Sequence, residues 1–313
     1  MLLAEHGTFH HVYDFDHFEF PFGINVPLPN VLGLQITKFM VLQLVAVLLT
    51  LWIFRGVVKR IQGGQVASGW WWNFWEMLAI YIRDEVVRPI IGDPHAHDGH
   101  DHEHPEHSEP MTGHQPSVHE LLHPVAATHS HSHAPTGGHP ADKYLPFVWS
   151  CFFFILICNL LGAFPFLGSA TGSVAVTGAL ALVAFFATYL YGAQIHGFGG
   201  FWLALVPAID APGPLKLFLI PMMFVIEVVG FFIKHGVLAI RLFANIMGGH
   251  TVLGVILAFI AQVSHSGIWW LVAPGSVAGQ IGIGLLELLV AFIQAYVFVF
   301  LATIFIAMSL HEH

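Results

Sequence analysis

Charged residues are scarce in this sequence. Only 9% of its 313 positions are Asp, Glu, Lys or Arg, against 56% hydrophobic, and the mean hydropathy is +0.72. That balance argues against a soluble enzyme and for a protein whose solvent is the bilayer. The formal charge of −9 comes mainly from the first hundred or so residues, so it describes soluble segments, and no nucleic acid partner is expected. Cysteine is nearly absent. Cys151 and Cys158 stand seven residues apart in one apolar run, about 10 Å along a helix and too far for a disulfide. No GxxxxGK[ST] phosphate loop occurs, so the chain should bind no nucleotide, and no cofactor is expected. The N-terminus carries Glu5, His6, His10 and His11 and lacks the basic region and apolar stretch of a cleavable signal peptide, so Met1 is expected as the mature start.

Long apolar runs are what the sequence has in abundance. Residues 1–35 are rich in aromatics and acids and are broken by Pro21, Pro27 and Pro29, which reads as an extended leader outside the bilayer. A first span over 36–54 is followed at once by Arg55, Lys59 and Arg60, which places that end in the cytoplasm. Residues 67–91 cluster tryptophans at one end and distribute Glu76, Arg83, Asp84, Glu85 and Arg88 through the rest, the pattern of an interfacial amphipathic helix. Residues 93–140 hold thirteen histidines among Asp, Glu, Pro and Gly, too polar to bury a core, and read as a disordered cytoplasmic loop. Two ordinary spans follow at 144–166 and 171–192, then a Gly/Pro-rich connection over 193–214.

The last third is different. Residues 215–263 run on with Pro221 near the start and no strong later breaker, about 73 Å as one helix. A hydrocarbon core of about 30 Å would force such a helix to roughly 65° from the membrane normal. A break near Gly236 would instead give two upright spans. Residues 276–310 make a second long helix, about 52 Å. The expected fold is an all-α integral membrane protein with about five membrane helices plus one interfacial helix, the last two long and strongly tilted. Its parts are the segment 1–35, the first helix and interfacial helix over 36–92, the loop 93–140, and a channel domain over 141–313.

Glu227, Lys234, Arg241, Asn245, His250, Glu287 and Gln294 sit in those two helices among apolar residues. An ionisable group at mid-bilayer costs from about 2.5 to over 10 kcal/mol, so each is a functional candidate. Glu227, Lys234 and Arg241 are spaced by seven and share a face, with Asn245 one turn beyond. His250 falls on the opposite side of an ideal helix, and Glu287 and Gln294 share a stripe on the second helix. Arg241 therefore looks outward, while His250 looks toward Glu287 and Gln294. A histidine and a carboxylate can pass protons near neutral pH. A guanidinium holds its charge and acts as barrier and attractor. The bland alternatives are snorkelling for Glu227 and Lys234 and helix-to-helix hydrogen bonding, the reading kept for Asn159 and Gln43.

The string AIRLFANIMGGHTVLGVIL at 239–257 resembles subunit a of the F-type ATP synthases, whose hallmark is Arg-Leu-Phe, a small residue and Asn. The run LLELLVAFIQAYVFVFLATIFIAMSLHEH, the interfacial RDEVVRPIIG and the NLLGAFP at 159–165 are similar to the same family. Outside the histidine-rich insert the resemblance covers most of residues 36–310. It implies that Arg241 faces a ring of rotor c subunits and meets their ion-carrying carboxylates one at a time. Asn245, His250, Glu287 and Gln294 would line the half-channel from the outside, and Glu227 the half-channel to the inside. In a familiar bacterial form the His250 position is an acid and the Glu287 position a histidine; here the pair is exchanged, as elsewhere in the family. The implied partners are the c-ring, peripheral stalk b subunits, the F1 catalytic head and lipid. The implied residence is the bacterial plasma (inner) membrane, with the N-terminus outside and the C-terminus in the cytoplasm. The chain would be a non-catalytic channel subunit.

Two rival readings come from the histidines. His119-Glu120-Leu121-Leu122-His123 matches the zincin pattern HExxH. With histidines so dense the pattern arises by chance, and Pro116 and Pro124 leave too short a helix to fix two ligands. A metal-ion transporter is the better rival, but it needs several ligands inside the spans, and His250 with Glu287 is a thin set.

Overall fold

A computed structural model describes residues 17–20, 24–31, 34–61, 69–92, 139–163, 169–206, 213–263 and 267–310. Among the described residues, five helices are long and apolar enough to cross a membrane, as the hydropathy runs predict. The leader departs from the expected plain extended chain. Within it, β1 (His17–Phe20) pairs antiparallel with β2 (Ile24–Pro27), and β3 (Asn30–Val31) with β4 (Leu34–Gln35), two small hairpins before the first helix.

Helix α1 (Lys38–Ile61) ends on Lys59 and Arg60, cations that suit the negative end of a helix dipole. Helix α2 (Trp70–Tyr81) starts after Gly69, whose φ of 116° is open to glycine alone among ordinary residues. Trp72 packs onto Gly56 of α1, where any Cβ would collide with its ring, and the Arg60 guanidinium lies 4.2 Å from the Trp72 centroid. The helix then widens into a π-helical stretch, Ile82–Val87, before α3 (Arg88–Gly92). Arg83 donates two hydrogen bonds to Asp84, at 2.8 and 3.0 Å. These bonds hold the Asp84 carboxyl below its ordinary carboxylate value. Arg88 reaches across the histidine-rich insert and donates to both oxygens of Asp142, at 3.1 Å each, while the His139 ring packs onto Gly92. The expected disordered loop, apart from its last two residues, lies outside the described residues.

Helix α4 (Leu145–Gly162) is the centre of the molecule, with 61% of its best span buried against 6% for α7. Phe152, Phe153, Ile155 and Leu156 are each at most 1% exposed. Its Trp149 donates to Ala79 O at 3.0 Å, which pins the interfacial helix against the bundle. Helix α5 (Val174–His196) outlasts its predicted end at 192, and the short α6 (Gly200–Ala204) forms within the predicted connection.

Helix α7 runs unbroken over Gly213–Val263, so the break near Gly236 does not occur. At about 77 Å it cannot stand upright in a hydrocarbon core of about 30 Å. Helix α8 (Trp269–Leu310) starts seven residues before the expected 276. Pro274 lies in its second turn, where it leaves the Trp270 carbonyl without its usual helical donor.

Candidate functional site

The two long helices form an antiparallel hairpin, and its polar residues sort by height along it. His250 of α7 meets Glu287 of α8, and Glu227, much earlier in α7, meets the last turns of α8 at Phe305, Met308 and Ser309. The rotation of α7 follows from its apolar pattern. Phe231, His235, Leu238, Leu242 and Ile246 recur at four, three, four and four, and all are buried, so this stripe faces α5 and α8. Arg241 lies outside the stripe and is exposed. Among the described residues it makes no ion pair or hydrogen bond.

Toward the α7–α8 turn, His250 Nε2 stands 4.0 Å from Glu287 Oε1, with side chains 18% and 8% exposed. That Glu287 oxygen is buried and makes no hydrogen bond within the described residues. Gly249 creates the space: a Cβ there would lie 2.8 Å from Glu287 Oε1. Gln294 continues the Glu287 stripe by two turns and is 6% exposed. Asn245 is half-buried one turn beyond Arg241, on the side of His250.

Gln280 extends the same stripe by two turns the other way, and its buried Nε2 makes no hydrogen bond among the described residues. Sequence reasoning passed over it, although its spacing of seven from Glu287 was the available signal.

Toward the other end, Glu227 and Lys234 line a cavity with His196, Phe201, Phe231, Phe305 and Ser309. Its volume of about 60 Å³ is room for two or more waters. Arg241 thus lies between two separate polar regions, one around His250 and Glu287 and one around Glu227.

Asn159 is fully buried and donates to Ala291 O of α8 at 3.3 Å while accepting from Thr171 at 2.9 Å. It is a helix-to-helix hydrogen-bond partner, as expected. His235 was not singled out by sequence, since only the fold shows it buried and held by Phe231 O and Thr188. Residues 119–123 lie outside the described residues. No group of three potential metal ligands occurs within the described ones.

A family model described as the ATP synthase A chain matches residues 117–307. The chain is similar to ATP synthase subunit a of Chloroherpeton thalassium, 32% identical across 97% of this chain and 76% of that protein. It is similar to the subunit a of Myxococcus xanthus, 33% identical across 97% and 88%. With that of Anaeromyxobacter dehalogenans strain 2CP-1 it shares 41% identity across 56% of this chain and 44% of the other.

Proposed function

The chain belongs to the ATP synthase subunit a family, the proton-translocating part of the membrane sector, and from that premise we propose that Arg241 is its stator charge between two half-channels. Asn245, His250, Glu287 and Gln294 line the half-channel from the outside, and the Glu227 cavity is the mouth of the half-channel to the inside. The observation that carries this reading is the position of Arg241, charged and without a partner among the described residues on an exposed apolar helix face, with one polar region on either side along the same helix.

A charge on such a face is costly in lipid alone. A rotor carboxylate passing that face would pair with it. A proton entering from the outside passes by way of His250 and Glu287 to a rotor carboxylate, which is then neutral and can travel through lipid. After nearly a full turn it is released at the Glu227 cavity, whose volume admits water. Arg241 stabilises the ionised carboxylate between the two sites and, never deprotonating, blocks a direct proton path. The long tilted α7 and α8 present a broad apolar surface to the ring. The chain makes and breaks no covalent bond in this scheme; nucleotide chemistry lies in the F1 head, connected through the peripheral stalk b subunits. Residence in the bacterial plasma membrane follows, with Arg55, Lys59 and Arg60 inside.

The test is ATP-driven acidification of inverted vesicles carrying the wild-type chain or Arg241→Ala, with passive leak measured after the head is stripped off. Pumping should vanish with the complex still assembled. Persistent pumping in the variant would refute the role of Arg241.

A further inference from the structure

His235 is 3% exposed in the middle of the inward stripe of α7, and the proton path above makes no use of it. Its ring is boxed by Phe231, Phe305 and Phe185, with centroids 4.7, 5.0 and 5.4 Å away. Nδ1 lies 2.9 Å from Phe231 O, one turn back on the same helix. A carbonyl only accepts, so Nδ1 carries a hydrogen. Nε2 lies 3.4 Å from Thr188 Oγ1 of α5. Thr188 Oγ1 in turn lies 2.9 Å from Ala184 O, while the single Ser309 hydroxyl hydrogen of α8 serves Ile306 O at 2.6 Å and leaves Thr188 O 3.4 Å away. Helices α5, α7 and α8 thus meet at the height of this imidazole.

With Nδ1 bonded to Phe231 O, Nε2 of the neutral ring is an acceptor, and the single Thr188 hydroxyl hydrogen is shared between it and the nearer Ala184 O. The groups that touch the ring, Phe185 and Thr188 of α5, Phe231 of α7 and Phe305 of α8, are uncharged, while Lys234 beside it on α7 lines the neighbouring cavity with Glu227 and His196.

We infer that His235 is a positioning residue for proton translocation: bonded to Phe231 O and Thr188, it fixes the rotation of α7 and so the outward aim of Arg241. Arg241 lies six residues on, about 120° around the helix from His235. A turn of α7 that breaks the Thr188 contact carries Arg241 with it.

The inference rests on Arg241 being the stator charge, and the test separates the two. ATP-driven acidification is measured on the whole complex in inverted vesicles. His235→Phe keeps a ring in the aromatic box and removes the interhelical bond to Thr188. It should pump about fivefold more slowly than wild type, the effect of one ordinary hydrogen bond. Thr188→Val should show the same pattern, and Thr188→Ser, which keeps the hydroxyl, should restore wild-type behaviour. If His235→Phe fails to assemble, the Val and Ser variants decide. Wild-type pumping by His235→Phe, or a Thr188→Ser variant no better than Thr188→Val, overturns the inference. Normal pumping by Arg241→Ala overturns the site reading instead.

Discussion

A glycine and a carboxylate shape the polar region around His250. Glu287 reaches His250 only because residue 249 has no side chain. Gly249→Ala would push aside the carboxylate, the flexible end of the Glu287 side chain, with little loss of stability. Pumping by the assembled variant should fall, and an unchanged rate would remove the pair from the path. Away from the bilayer, Asp84 illustrates a simpler residue effect. Its carboxyl is held below its ordinary value by Arg83, so its contribution to stability is complete above the unfolded value and is lost as pH falls through the lower folded one. Thermal unfolding of the solubilised protein should therefore show a loss below about pH 4 that is smaller in Asp84→Asn. With Asp84 40% exposed on its side chain, the loss is modest.

At the scale of elements, the continuity of α7 carries the weight of the architecture. Gly236 faces open space, with no heavy atom within 4 Å of the point where a Cβ would stand. Gly236→Ala should leave assembly and pumping intact. Gly236→Pro should cost about 3 kcal/mol in helix alone and abolish both. Two upright spans broken at this residue would tolerate the proline, and membrane assembly assayed by blotting distinguishes the cases. The histidine-rich insert is an element of another kind. Arg88 with Asp142, and His139 on Gly92, close its base, so the flanking helices are joined without it. Replacing residues 93–138 by a short Gly/Ser linker should leave assembly and proton conduction unchanged; loss of conduction in an assembled complex would give the insert a part in proton passage.

The whole molecule makes a prediction about sides. Five crossings with the Lys59 end inside put the α7–α8 turn outside. Lys59→Cys should react with an impermeant thiol reagent only from the inside, and Ile268→Cys, 61% exposed, only from the outside. Background should be low, since Cys151 and Cys158 are buried. Reaction of both from one side would overturn the five-crossing topology.

The sequence by itself determined the membrane setting, the five spans and the identity of the intramembrane polar residues. The reason is that hydrocarbon penalises charge so strongly that each exception stands out without any coordinates. A spacing of nine was enough to place Arg241 and His250 on different faces. Only tertiary structure decided that α7 is one helix, because Gly236 is compatible with either outcome and packing along the buried stripe selects between them. Only tertiary structure brought Glu227 and Lys234 into a cavity with the ends of α5 and α8. The same holds for Gln280, whose burial depends on a partner helix, and for His235. A histidine next to a lysine in an apolar run carries no local signal of burial. Its surroundings come from Phe185 and Thr188 on α5 and Phe305 on α8, residues far away along the chain that only packing assembles.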